Sequence, residues 1–391
     1  AKRKNRKNIK NNGGVNMLKA KRILIAAGGT GGHINPALSV AGYIRSQDPT
    51  AEILFVGTAD KMEAKLVPQA GYPIKMIDIS GFRRDLSPAG IVHNIKTVSK
   101  MFKSSSQAKK IIEDFKPELA IGFGGYVSGP VIRMAAKLGV PTAIHEQNAY
   151  PGVTNKTLAK QVDAVMLTSM AAEKYLEPKN PCVLTGLPVR AEFFTADKEH
   201  SRLELGVDSR PLILSSGGSL GAEPINRAMV ELIAARAPKG DCCFIHATGH
   251  SGTWVTDELK KRGVDPDKFE NVTIREYIDD MSRCMAACDL FINRAGASTL
   301  SEIEALGKPS ILIPSPYVAE NHQYHNAMTL VEKNAAVVIE EKDLTGEKLT
   351  EEVEKLLADR AELDKMGENA RAMCVSDAAK RIYDCLCKVV G

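Results

Sequence analysis

Arg22-Ile23-Leu24-Ile25-Ala26-Ala27-Gly28-Gly29-Thr30-Gly31-Gly32-His33-Ile34-Asn35-Pro36 is the stretch on which the fold turns. A β-rich apolar run enters a glycine cluster without a break, and beyond it Leu38, Ala41 and Ile44 recur on one helical face. Strand, tight turn and helix in that order form the repeating unit of a parallel sheet. Glycine in the turn lets backbone approach a ligand closely, and the helix start supplies unpaired amides and the positive end of its dipole. The turn therefore suits an anion or a sugar diphosphate. Spacing excludes two familiar nucleotide loops. No Gly-Lys-Ser/Thr is present, and the sixth position counted from Gly29 is Ile34 rather than glycine, so neither an ATPase nor a dehydrogenase is supported.

Outward from this loop the same alternation continues. Strands are expected near Ile53 to Val56, Leu119 to Phe123 and Thr142 to Ile144. The pattern restarts at Leu212 to Ser216, Phe244 to Ala247, Val272 to Arg275, Leu290 to Asn293 and Ile311 to Pro314. Two similar α/β units follow, and Thr185-Gly186-Leu187-Pro188-Val189-Arg190 has the composition of a hinge between them. The expected divisions are a basic disordered tail at 1–16, a first domain at 17–186, a second at 187–370, and a terminal helix at 371–391 crossing back to the first. The second unit repeats the opening design: Gly217-Gly218-Ser219-Leu220-Gly221-Ala222 leads into a helix striped by Ile225, Met229, Leu232 and Ile233. Gly122-Phe123-Gly124-Gly125-Tyr126 and Asn293-Arg294-Ala295-Gly296-Ala297-Ser298-Thr299 are further loops at strand ends, the latter followed by Glu302, a carboxylate suited to a ribose diol. In open parallel sheets ligands bind beyond the carboxyl ends of strands, so these loops are expected to face one another across a cleft. His33 has two readings at this point, a general base or a helix-capping imidazole.

Composition limits the alternatives. A chain of 391 residues, 44% hydrophobic and 25% charged, can bury two full cores. Its longest apolar runs are strand length, far short of the roughly 20 residues of a membrane-spanning helix, and no signal-peptide stretch precedes the first strand. A cytoplasmic protein is expected. The eight cysteines include no Cys-x-x-Cys pair, and Cys284 and Cys288 sit among apolar residues, so no disulfide and no metal site is expected. The net charge of +5 resides in the tail, where six Lys or Arg and no acid precede Met17. The remainder is close to neutral, which argues against nucleic acid as a partner.

Seven segments together resemble the MurG family of glycosyltransferases: GGTGGH at 28–33, GFGGYVSGP at 122–130, HEQN at 145–148, TGLPVR at 185–190, GGSLGA at 217–222, AGASTLSE at 295–302 and NHQYHNA at 321–327. The resemblance spans nearly the whole chain from Met17. It implies a GT-B fold, two Rossmann-like doubly wound domains facing across a cleft. It also implies inverting transfer of N-acetylglucosamine from UDP-N-acetylglucosamine to the C4 hydroxyl of the muramyl sugar in undecaprenyl-linked lipid I, giving lipid II. Carried over by position, the implied donor site holds Thr30, Gly31, Gly32, Asn148, Arg190, Ser219 and Ile278, the last against uracil. Ala297, Ser298, Thr299, Leu300, Ser301 and Glu302 match the stretch that holds diphosphate and ribose, and Gln323 matches a glutamine that reaches the donor sugar. Leu220 and His322 stand where relatives often carry glutamine. With no Asp-x-Asp in any of the matching segments the chemistry is expected to need neither metal nor cofactor, helix amides stabilising the departing UDP. His33 is the candidate base and Glu146 the second choice.

A lipid-anchored acceptor implies docking on the cytoplasmic face of the membrane, as a peripheral protein. Between Ile91 and Lys110 there are five lysines and no acid; Ile91, Ile95, Val98 and Phe102 share an apolar stripe, and Lys96, Lys100 and Lys103 lie on another face. The loop from Ile77 to Leu86 offers Ile79 and Phe82 beside Arg83 and Arg84 as a contact for anionic inner-leaflet phospholipid. Other cell-wall synthesis proteins are candidate partners. Two rival functions fit the same loops, a hydrolysing UDP-N-acetylglucosamine 2-epimerase and a non-catalytic nucleotide-sugar sensor.

Overall fold

The computed structural model describes residues 17–79, 87 and 103–391. Two parallel sheets follow one another along the chain. The first holds β1 (Arg22–Ala26), β2 (Glu52–Gly57), β3 (Ile74–Met76), β4 (Leu119–Gly122), β5 (Thr142–Glu146), β6 (Ala164–Leu167) and β7 (Val183–Leu184), in the order β3-β2-β1-β4-β5-β6-β7. The second holds β8 (Leu212–Ser216), β9 (Cys243–Ala247), β10 (Val272–Arg275), β11 (Leu290–Asn293), β12 (Ser310–Leu312) and β13 (Val337–Val338), in the order β10-β9-β8-β11-β12-β13. Both read outward in opposite directions from the first strand and its neighbour, the doubly wound arrangement.

The central strands are apolar without alternation because helices cover both faces. Along β1, Ile23 and Ile25 enter one core while Leu24 and Ala26 enter another on the opposite face. In β8, Ile213 faces one core and Leu212 and Leu214 the other. Cys284 and Cys288 lie buried in that last core.

The sequence expectations fall on β1, β2, β4, β5 and on β8 to β12. Four strands carry weaker signals. β3, β7 and β13 are edge strands of two or three residues, and β6 is a short run of Ala-Val-Met-Leu, so none has the length to announce itself.

The chain passes from the first sheet to the second through Gly186. Its φ is 71°, and a Cβ there would stand 2.5 Å from the Cβ of Val375, where the chain returns. Beyond that crossing the helix Ala378–Val389 leaves the second unit and buries Ile382, Tyr383 and Leu386 in the core of the first. Tyr383 accepts a hydrogen bond from the Leu18 amide at 2.9 Å and meets Tyr43 edge-on at 5.6 Å. The terminal helix thus fastens the two units together.

The tail at 1–16, the apolar stripe from Ile91 to Phe102, and Phe82, Arg83 and Arg84 lie outside the described residues. Residues 103–115 are helical, with Ser104, Ala108 and Ile112 turned into the first unit and Lys103, Lys109 and Lys110 exposed. Ile79 is half-buried against the core of the first unit. Among the described residues no helix is long and apolar enough to cross a membrane.

Candidate functional site

The site is built from loops at the carboxyl ends of β1 and β4 in the first sheet and β8 and β11 in the second. These are the points where strand order reverses and crossover helices leave on opposite faces, opening a crevice.

After β1, Gly29 takes a φ of 92° and Thr30 stands at the N-cap position of the helix Gly31–Gln47 without a side-chain capping bond. The helix start comes so soon after the strand that His33, in its first turn, folds back over the loop. Nδ1 of His33 lies 3.0 Å from the Gly28 carbonyl oxygen. A carbonyl only accepts, so Nδ1 carries the proton and Nε2 keeps a bare lone pair. The imidazole donates to the loop and does not cap the helix. The Nε2 edge rests against Gly124, where a Cβ would approach it to 3.0 Å, and Gly124 itself has a φ of 96°. Burial pulls the imidazole below its ordinary pKa, the bond to Gly28 opposes this, His322 lowers it further and Glu63 raises it. His33 is accordingly neutral near pH 7, the form a proton acceptor requires.

HEQN closes β5 and lies inside the first unit. His145 is wholly buried, donates from Nε2 to the Gly186 carbonyl at 2.9 Å, and is pulled down to about 4 by burial. Glu146 accepts from the Asn148 amide at 2.9 Å and its side chain at 3.2 Å, from Asn155 at 2.8 Å and from the Gly152 amide at 3.1 Å. Burial raises its pKa against these bonds. A carboxylate with four donors already in place braces its loop, which leaves His33 as the group with an open lone pair. Asn148 is held from the second unit: Asn326 donates to its Oδ1 at 3.1 Å and accepts the Ala149 amide at 2.8 Å. Asn326 also donates to the Ala295 carbonyl at 3.2 Å, so one amide ties HEQN to the loop after β11. His325 stacks on Tyr150 at 4.8 Å beside this bolt.

In the second unit, Gly217 to Ala222 precede the helix Glu223–Arg236, and Arg294 to Gly296 precede the helix Ala297–Leu306. A cavity of about 520 Å³ opens between the units. Leu38 and Ser39 line it from the first, Arg190 from the hinge, and Ser219, Ile278, Thr299 and Glu302 from the second. Burial pushes the Glu302 carboxyl up to about 7, with Arg190 opposing and Glu192 adding to the shift. A neighbouring cavity of about 600 Å³ shares Gly218 and Ser219 and continues to Gln323, whose Oε1 accepts the Ser315 amide at 2.9 Å. Arg294 and Glu341 pair in its wall.

Ser219, Ile278, Thr299, Glu302, Arg190 and Gln323 therefore gather around two connected cavities. Thr30, Gly31, Gly32 and Asn148 line neither and stand with His33 on the first unit's side. Ala297 and Ser298, also outside both linings, contribute the first-turn amides of their helix. Leu300 and Ser301 are buried and line neither cavity, and the Leu300 amide is bonded to the Gly296 carbonyl at 3.0 Å. Three contributors escape sequence reasoning: Glu63, Asn155 and Asn326. Each acts through a partner that only the fold brings near, although Asn326 lies within the NHQYHNA segment. Among the described residues no three His, Cys, Asp or Glu side chains converge in a way that could hold a metal ion.

The pattern of the glycosyltransferase family 28 N-terminal domain matches residues 23–167, and that of the family 28 C-terminal domain matches residues 212–382. A protein of Acetivibrio thermocellus named UDP-N-acetylglucosamine--N-acetylmuramyl-(pentapeptide) pyrophosphoryl-undecaprenol N-acetylglucosamine transferase is 47% identical over 366 residues, 93% of this chain and 96% of that one. The crystal structure of Acinetobacter baumannii MurG superposes with a TM-score of 0.75 at 28% identity, covering 94% of this chain and 99% of the other. A Listeria monocytogenes structure described as a UDP-N-acetylglucosamine 2-epimerase superposes with a TM-score of 0.65 at 16% identity, over 93% and 94% of the two chains, a likeness of fold alone.

Proposed function

The chain belongs to glycosyltransferase family 28, and from that premise we propose that it moves N-acetylglucosamine from UDP-N-acetylglucosamine to the C4 hydroxyl of the muramyl sugar in lipid I, giving lipid II. The observation that carries the reading is the cavity between the units, lined from the second by strand-end loops and helix starts that suit a nucleotide diphosphate, with His33 and its bare Nε2 in the first unit's glycine loop.

In this reading Ile278 packs against the uracil and Glu302 accepts hydrogen bonds from the ribose diol. The Ser219 loop and the amides of Ala297, Ser298 and Thr299 take the diphosphate, with Arg190 at the cavity edge. Gln323 reaches the donor sugar, and Thr30, Gly31, Gly32 and Asn148 close its other side. The acceptor hydroxyl enters beside His33. As its oxygen forms the bond to the anomeric carbon, its proton passes to Nε2, and the bond from that carbon to the phosphate oxygen breaks with the electron pair leaving on UDP. A single displacement inverts the anomeric centre. Helix amides stabilise the charge that grows on the diphosphate, and the low-dielectric crevice strengthens their effect.

The acceptor's lipid anchor calls for a peripheral position on the cytoplasmic face of the membrane. Phe82, Arg83, Arg84 and the lysines between 96 and 110 support attraction to anionic phospholipid, which weakens as salt rises.

UDP release measured with and without a lipid I analogue tests the function. The transferase releases UDP only when the acceptor is present. Release without acceptor, accompanied by a C2-epimerised sugar, identifies an epimerase, and binding without release in either arm identifies a sensor.

A further inference from the structure

Glu63 opens the helix Glu63–Gln69 beneath the first glycine loop and is fully buried, with no cationic partner among the described residues. Burying such a carboxylate is costly unless hydrogen bonds compensate. Its Oε1 accepts the amide of Thr58 at 3.0 Å and the hydroxyl of Thr58 at 2.7 Å, while its Oε2 accepts the Gly29 amide at 3.0 Å. That amide belongs to the same peptide group whose carbonyl, on Gly28, takes the Nδ1 proton of His33 at 3.0 Å. One planar peptide therefore has a carboxylate on its N–H and an imidazole on its C=O. Two glycines make room for the arrangement: a Cβ at Gly28 would stand 2.6 Å from Oε1 of Glu63, and one at Gly57 would stand 2.5 Å from its Cγ.

We propose that Glu63 is a positioning residue for the transfer, acting through the Gly28–Gly29 peptide to hold His33 in its Nδ1–H tautomer and to stabilise the imidazolium formed when Nε2 takes the acceptor proton. The inference rests on His33 being the base. A carboxylate on the N–H end polarises the amide and makes its carbonyl a stronger acceptor, since hydrogen bonds in series reinforce one another. The proton balance is simple: one proton leaves the acceptor hydroxyl for Nε2, the Nδ1 proton stays on the ring, and Glu63 takes none. This is the division of labour of a histidine and its orienting carboxylate, with a peptide between them.

The groups that act electrostatically on His33 are Glu63, which favours the charged ring, and His322, which opposes it. Replacing Glu63 with Gln removes the first. At saturating substrates, Glu63→Gln is expected to lower kcat about tenfold or more and to move the acidic limb of the pH profile to lower pH, with the KM for UDP-N-acetylglucosamine changed by less than about twofold. Thr58→Val removes one bond to the other carboxylate oxygen and leaves the Gly29 contact in place. It is expected to keep kcat within about twofold and the limb where it was, although it loses stability. Loss in Thr58→Val equal to that in Glu63→Gln would reduce Glu63 to a structural brace and overturn the proposal.

The variant His33→Ala separates the two levels of inference. Near-normal turnover in it removes the base itself. Strong loss in it, with wild-type kcat and pH profile in folded Glu63→Gln, removes only the relay. In the double variant the loss is expected to equal that of His33→Ala alone. Should Glu63→Gln fail to fold, nitrogen NMR of His33 in the wild-type chain at pH 8 decides: a protonated Nδ1 and bare Nε2 support the relay, and a protonated Nε2 overturns it.

Discussion

At the scale of single residues, His33 sits where two opposing pressures are resolved. Burial disfavours its charged form and the Gly28 carbonyl favours it, with burial the larger. The ring must be neutral to take a proton, so activity is expected to hold above its lowered pKa and to fall as pH drops through that value. The acidic limb of kcat/KM should lie below the ordinary histidine value of about 6.5. A limb at or above 6.5 would mean that another group titrates. Sequence could place His33 after a glycine loop but could not choose between base and cap, because the choice depends on which nitrogen meets which backbone group. The same limit hid Glu63 and Asn326. Glu63 acts through a peptide thirty-odd positions upstream, and Asn326 joins segments from both units. Local spacing carries no record of such contacts. Nor does the matching segment Ala297 to Glu302 tell the buried Leu300 and Ser301 from Glu302, which lines the cavity.

At the scale of elements, the glycine loops were the most legible part of the chain. Their residues are dictated by backbone conformation as well as by ligand, so the composition itself records the turn. Gly221 shows both demands. Its φ is 81°, and a Cβ there would collide with the Thr248 carbonyl oxygen at the end of β9. Gly221→Ala is expected to destabilise the protein by about 1–3 kcal/mol and to raise the KM for the donor, read by thermal unfolding and by steady-state kinetics. An unchanged melting temperature and KM would show that the loop adapts at no cost. Long central strands were equally legible, since burial on both faces leaves an unbroken apolar run. Edge strands such as β3 and β13 were not, because pairing on one side alone is satisfied by two or three residues without such a run.

At the scale of the whole molecule, the two units are joined by the crossing at Gly186, by the returning helix Ala378–Val389, and by the bolt of Asn326 on Asn148 and Ala149. The first two carry the chain and the third crosses the crevice itself. Asn326→Ala leaves the Ala149 amide and Asn148 without their partners. It is expected to lower kcat/KM for the acceptor about tenfold or more and to widen the distribution of distances between labels on the two units. An unchanged distribution with unchanged kinetics would show the bolt to be idle. The division into two α/β units was readable from the restart of the strand and helix pattern, whereas their relative placement was not, because it is set by these few long-range contacts.

The two units are proposed to meet so that His33 receives the acceptor's proton. Turnover of His33→Ala at saturating UDP-N-acetylglucosamine and lipid I analogue tests it most directly. A fall of about 10²- to 10⁴-fold with donor binding retained is predicted, the usual contribution of a positioned base, and near-normal turnover would contradict it.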